Sequence, residues 1–152
     1  MGMMEELNRI DWGDLVVASG KANQVPKALI GLLSPDESIR NRAYAQLDNE
    51  VVCQSDLYNS SYFVIPFLIR LLADKVEYGR DRMYDLLYEI ANGYAPSDVK
   101  CRTNEGEEMT LKEACDRELK KGLSTFRNDA LDHDNQISQK ALELIELLAD
   151  SP

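Results

Sequence analysis

The feature that most constrains this chain is a helical pattern that returns in register. Arg40-Asn41-Arg42-Ala43-Tyr44-Ala45-Gln46-Leu47 is matched by Arg80-Asp81-Arg82-Met83-Tyr84-Asp85-Leu86-Leu87, an offset of 40 residues from 40 to 80. Two arginines, a tyrosine and a leucine recur. The upstream segments agree. Val25-Pro26 leads into Leu29, Ile30, Leu32 and Leu33, and Ile65-Pro66 leads into Leu68, Ile69, Leu71 and Leu72. A third copy places Asp134, Ile137, Ala141 and Ile145 at the spacing of Asp36, Ile39, Ala43 and Leu47, with Lys140 opposite Arg42. Apolar residues at i, i+4 and i+8 form one stripe of a helix. A leading aspartate accepts from the free N–H groups of the first turn.

A helix pair cannot bury its apolar faces alone, so pairs recurring near every 40 residues imply stacking of one pair on the next. Asp36, Ile39, Arg40, Ala43 and Leu47 resemble the second helix of a HEAT repeat. The Pro-x-x-Leu-x-x-Leu-Leu run from Pro26 resembles the first helix. The resemblance spans about Gln24 to Asp150. It departs at Gly79, where an apolar residue is expected, and in the last copy, which lacks the proline and has Ser138 for the arginine. It implies an all-α fold: a short α-solenoid of stacked antiparallel helix pairs, HEAT/armadillo-like, with about seven helices. Residues 1–152 then form a single HEAT-like repeat domain, with an end-capping helix at about 11–18 and repeats at about 24–50, 61–93 and 110–150. Helices are expected at about 25–33, 36–50, 61–73, 78–93, 110–131 and 135–149. Trp12 is expected to pack in the end cap, and Thr110 with Glu113 reads as a capping box. A chain of 152 residues buries roughly 70% of its unfolded surface, enough to fold without disulfides or metal.

Charge narrows the partners. The net charge is −10, with 27 acidic against 17 basic residues. Such a surface repels nucleic-acid phosphates and anionic lipid and speeds association with a basic protein. No apolar run approaches the ~20 residues of a membrane span. The start, Met1 to Asn8, has no basic region leading into an apolar run, so a cytoplasmic location is expected. Cys53, Cys101 and Cys115 then read as free thiols. Cys115 lies on an apolar stripe, whereas Cys53 and Cys101 fall in loops where they could be exposed.

Catalytic constellations are sparse. His133 is the one histidine and sits in a charged turn, so triads and most zinc sites are hard to assemble. Asp129, Asp132 and Asp134 lack the central glycine and distal glutamate of an EF-hand loop. No phosphate-cradling glycine loop is present. The reading is a non-catalytic protein with no cofactor and no metal. A helical enzyme would need a deep pocket with a perturbed acid.

In stacked pairs the second helices line the concave side. Tyr44, Tyr84 and Leu142 are equivalent by register, as are Asp48, Tyr88 and Glu146. The candidate partner-binding residues are Tyr44, Asp48, Asp56, Tyr58, Tyr84, Tyr88 and Glu89, rings interleaved with carboxylates. Alternatively, Tyr44 and Tyr84 pack between repeats with only their hydroxyls wet. The long connections at 51–60 and 94–109 are further candidates. Val51 to Ser61, leading into Val64-Ile65-Pro66-Phe67-Leu68, resembles a stretch of short bacterial HEAT-like proteins found beside polymorphic toxins. That resemblance implies an immunity protein that binds and blocks a cognate basic toxin domain. The other binding reading is a general scaffold or regulatory repeat module.

Overall fold

A computed structural model describes residues 2–150. Eight α-helices occur among them: α1 (Met3–Arg9), α2 (Val25–Gly31), α3 (Glu37–Glu50), α4 (Asn59–Ala73), α5 (Arg80–Ala91), α6 (Leu111–Lys120), α7 (Leu123–Asp129) and α8 (Asn135–Ala149). Three antiparallel hairpins lie between them: β1 (Val16–Val17) with β2 (Gly20–Lys21), β3 (Val52–Cys53) with β4 (Asp56–Leu57), and β5 (Lys100–Arg102) with β6 (Glu108–Thr110). The protein is mostly helical, as the periodicity requires. The hairpins correct the all-α expectation.

The helix starts follow from their caps. Asp36 accepts from Ser38 N–H at 2.8 Å, and Asp134 accepts from Gln136 and Ile137 N–H at 2.9 and 3.3 Å. Thr110 accepts from Glu113 N–H at 3.1 Å and donates to its carboxylate at 3.0 Å, completing the capping box. The two prolines at equal offset have unequal places. Pro26 is in the first turn of α2, where a missing N–H is tolerated. Pro66 lies inside α4, which begins seven residues before it, at Asn59.

Two expected helices are corrected. No helix covers 11–18. Trp12–Asp14 is one 3-10 turn, and the β-branched pair Val16-Val17 extends to pair with Lys21 and Gly20. The opening helix is α1, upstream. Trp12 is 5% exposed, donates to Leu7 O at 2.9 Å and lies 6.4 Å from the Phe67 ring. The helix expected at 110–131 is broken into α6 and α7 at Gly122. A Cβ there would meet Phe126 Cζ at 2.6 Å and Ile69 Cδ1 at 2.9 Å, so α4 approaches the break closely.

The hairpins tie helix ends together. Ala18 N–H donates to Glu50 O at 2.8 Å, and Val16 N–H to Asn59 Oδ1 at 2.6 Å. Leu57 N–H donates to Tyr94 O at 2.8 Å and Tyr94 N–H to Ser55 O at 2.7 Å, seating the β3–β4 hairpin on the end of α5. The β5–β6 hairpin is held to α6 by Arg117–Glu107 and Lys121–Glu105 ion pairs. Its Asn104 N–H donates to the Tyr62 hydroxyl at 2.9 Å.

α5 is the central element. It packs on α3, α4, α6 and α8, while α2 packs on α3 and α4 on α6. Buried apolar residues from Leu7 to Leu148 form one continuous cluster. Gly79 opens α5 at φ 87°, and a Cβ there would stand 2.1 Å from Leu32 O. A glycine is therefore required where the register led us to expect an apolar residue. Cys115 is buried, and so is Cys101, at 7% exposure, although it falls in a connection where it could have been exposed. Burial pushes both thiols up, away from thiolate chemistry.

Candidate functional site

Tyr44 and Asp48 stand one turn apart on α3. Asp85, Tyr88 and Glu89 lie at i, i+3 and i+4 on α5, one face of that helix. Lys140 and Glu143 come from α8. A cleft of about 150 Å³ is lined by Tyr44, Tyr84, Asp85, Tyr88, Glu89, Lys140 and Glu143, with Asp48 beside Asp85 and Glu89 at its edge. α5 forms its floor, and α3 and α8 form its walls.

The cleft is electrostatically crowded. Desolvation raises the Asp48 carboxyl above its usual range, and the nearby Asp85 charge raises it further. Glu89 is raised by desolvation, then by Asp48 and Asp85. Three carboxylates therefore repel one another across the α3–α5 seam. Tyr44 is also pushed up, first by burial and then by these three acids, with Arg82 opposing. Cations offset the crowding only in part. Lys140 pairs with Asp85 at 2.9 Å, and Arg82 stands 3.8 Å from Asp85 and 5.0 Å above the Tyr44 ring. Asp48 and Glu89 have no cation partner among the described residues.

Of the candidates read from sequence, Tyr44, Asp48, Tyr88 and Glu89 come together here. Tyr88 is 36% exposed, and Tyr44, Asp48 and Glu89 are half-buried. Tyr84 is corrected as a contact residue. At 1% exposure it lies at the base of the cleft and offers a partner almost no surface. Its hydroxyl donates to Asp129 Oδ2 at 2.6 Å, and its ring meets Phe126 edge-on at 5.8 Å. Asp129, itself fully buried, also accepts from Arg80 at 2.9 Å and Lys75 at 3.2 Å, and Arg80 reaches Asp132 at 3.1 Å. Asp134 caps α8. The three aspartates are thus spent on protein donors.

Asp56 and Tyr58 lie elsewhere. Asp56 is exposed on β4, bridged to Tyr94. Tyr58 precedes α4, its N–H donating to Ser61 Oγ at 2.9 Å. Its phenol is raised by burial and by Cys53, Asp56 and Glu50, so its neighbours are those of the α3–α4 junction. The register missed Asp85, Arg82, Lys140 and Glu143 as site residues. Asp85 was findable: it shares a helix face with Tyr88 and Glu89.

Among the described residues no group of three or more His, Cys, Asp or Glu is placed to hold a metal ion, and no helix is long and apolar enough to cross a membrane. No protein-family model, curated protein or solved structure matches the chain.

Proposed function

We propose that the chain is a non-catalytic binding protein with HEAT-like stacked helix pairs, and that it blocks a basic protein domain in the manner of an immunity protein. The contacts of α3 with α2 and α5, and of α5 with α4 and α8, support the stacked reading. In it, α3, α5 and α8 are the second helices and the cleft lies on the concave side.

The observation that carries the function is the carboxylate crowding beside Tyr44 and Tyr88. Asp48 and Glu89 are partly desolvated without a cation of their own. A lysine or arginine from a partner supplies the missing charge, and the tyrosine rings add cation–π area. Occlusion is steric: the partner's basic active surface is covered.

Affinity capture with the wild-type chain and with an Asp48→Lys/Glu89→Lys variant tests this. The wild type should retain a basic protein at low salt, retention should fall steeply at high salt, and the variant should lose it. The captured protein's toxic activity should be suppressed by the wild type alone. Equal capture by the variant, or capture without suppression, rejects the blocking role; salt-insensitive capture favours a general scaffold.

A further inference from the structure

A second surface lies on the flank of α3 turned away from the cleft. Ile39 and Arg42 lie on that flank, opposite Tyr44 and Asp48 at 3.6 residues per turn. Between α2 and α3 runs an open groove of about 730 Å³. Gly31 and Ala43 form its floor; a Cβ on Gly31 would meet Ala43 Cβ at 2.8 Å, so the helices touch there. Ile30 is 37% and Ile39 41% exposed along it. The repeat pattern puts Ile39 in the buried stripe, yet its side chain stays well exposed beside Gly31, which has no side chain to cover it. Lys27 and Arg42 also line the groove, and among the described residues neither has an ion-pair partner. Two uncommitted cations beside apolar surface stand out on a chain of charge −10.

The complementary surface is on α8. Leu142, Glu146 and Ala149 are exposed at i, i+4 and i+7, with Asp150 following. Leu142 is 42% exposed. Its apolar members, Leu142 and Ala149, lie about 100° or more around α8 from the cleft-lining Lys140 and Glu143, and Glu146 lies between the two faces. We propose that the α2–α3 groove receives the α8 stripe of a second copy of this chain, so that molecules associate head to tail. Leu142 seats between Ile30 and Ile39, and Glu146 and Asp150 meet Arg42 and Lys27, an amphipathic helix in a groove. Within one molecule the groove is lined from α2, α3 and their junction and by no residue of α8, so the stripe that fills it comes from another copy. The contact is heterologous, and further copies can add at each free end. Net repulsion opposes approach, but at physiological ionic strength it is screened beyond about 8 Å, while contact pairs persist.

Sedimentation equilibrium of the full chain at physiological ionic strength, over a concentration series to the submillimolar range, tests the proposal. The weight-average mass should rise above 17.2 kDa. Arg42→Glu or Glu146→Arg alone should weaken association by about ten-fold, and the two together should restore most of it. Ile39→Ser should weaken it without altering the circular-dichroism spectrum, because the side chain is exposed. A mass that stays monomeric throughout overturns the proposal. So does association that Glu89→Lys disrupts and Arg42→Glu does not. Loss in Arg42→Glu that Glu146→Arg fails to restore overturns α8 as the occupant.

Discussion

α5 carries two clusters of carboxylates against its opposite sides, and they solve the same problem differently. On one side Asp129 is buried with Arg80, Lys75 and the Tyr84 hydroxyl around it. On the other, Asp48, Asp85 and Glu89 crowd one another with only Asp85 paired to cations. The first arrangement stabilises the fold and leaves the Asp129 carboxylate unexposed. The second leaves charge uncompensated at the surface, which a structural role does not require. Tyr84 and Tyr44 sharpen the contrast. They are equivalent by repeat register, yet one is a buried donor and the other a half-buried wall of the cleft.

The sharpest way to break this comparison is to remove one acid from each side. Asp129→Ala strands Arg80 and Tyr84 without their shared acceptor and should cost about 3–5 kcal/mol, read as a lower midpoint in urea unfolding. A loss under about 1 kcal/mol would show that water replaces the carboxylate and that the lock is not one. Next in size are the tyrosines. Tyr84→Phe deletes a hydrogen bond to a buried charge and should cost about 1.5–3 kcal/mol, whereas Tyr44→Phe should stay within about 0.5 kcal/mol. Similar values for the two would erase the distinction.

Dependence on pH separates the clusters without mutation. Asp48 and Glu89 are raised above 3.8 and 4.5, so the folded state holds their protons more tightly than the unfolded chain. Stability from these groups is therefore present at low pH and is lost as pH rises from their ordinary values through the raised ones. Asp132 is lowered below 3.8 by the Asp134 N–H and by Arg80. Its contribution is present above that value and lost as pH falls through its folded pKa. Stability should thus ease upward on acidification from neutrality and then drop below about pH 4. An Asp48→Asn/Glu89→Gln variant should lack the first limb and keep the second. The smallest effect is that variant's stability at neutral pH, which should equal or exceed wild type by no more than about 0.5 kcal/mol in thermal unfolding. A clear loss would mean the cleft acids hold the fold together.

How much of this was legible depended on the range of the forces involved. α3, α5 and α8 were readable because their caps and stripes are local: Asp36 and Asp134 bond within three residues, and Met83, Leu87 and Ile90 repeat on one face. The break at Gly122 was not, because it answers to Ile69 on α4. Nor were the hairpins, whose strands are two or three residues long and whose turn at Gln54-Ser55 takes φ of 51° and 69° without a glycine. The register brought Tyr44, Asp48 and Tyr88 forward but treated Tyr84 as a copy of Tyr44. What separated them was Asp129, 45 residues further along the chain. Ile39 went wrong for the converse reason: its stripe matches those of the other copies, but α2 meets it with Gly31, which has no side chain to bury it.

The clamp of α5 has a consequence for whatever enters the cleft. The floor that presents Asp85, Tyr88 and Glu89 is the same helix that Arg80 and Tyr84 fasten to Asp129, and Gly79 sets its first turn hard against Leu32. Its backbone is preorganised before any ligand arrives. The ordering entropy of a contact there falls on the ligand and on a few exposed side chains. Association with the cleft is therefore expected to change the backbone of α5 little, and to be read in side-chain motion at Tyr44 and Tyr88.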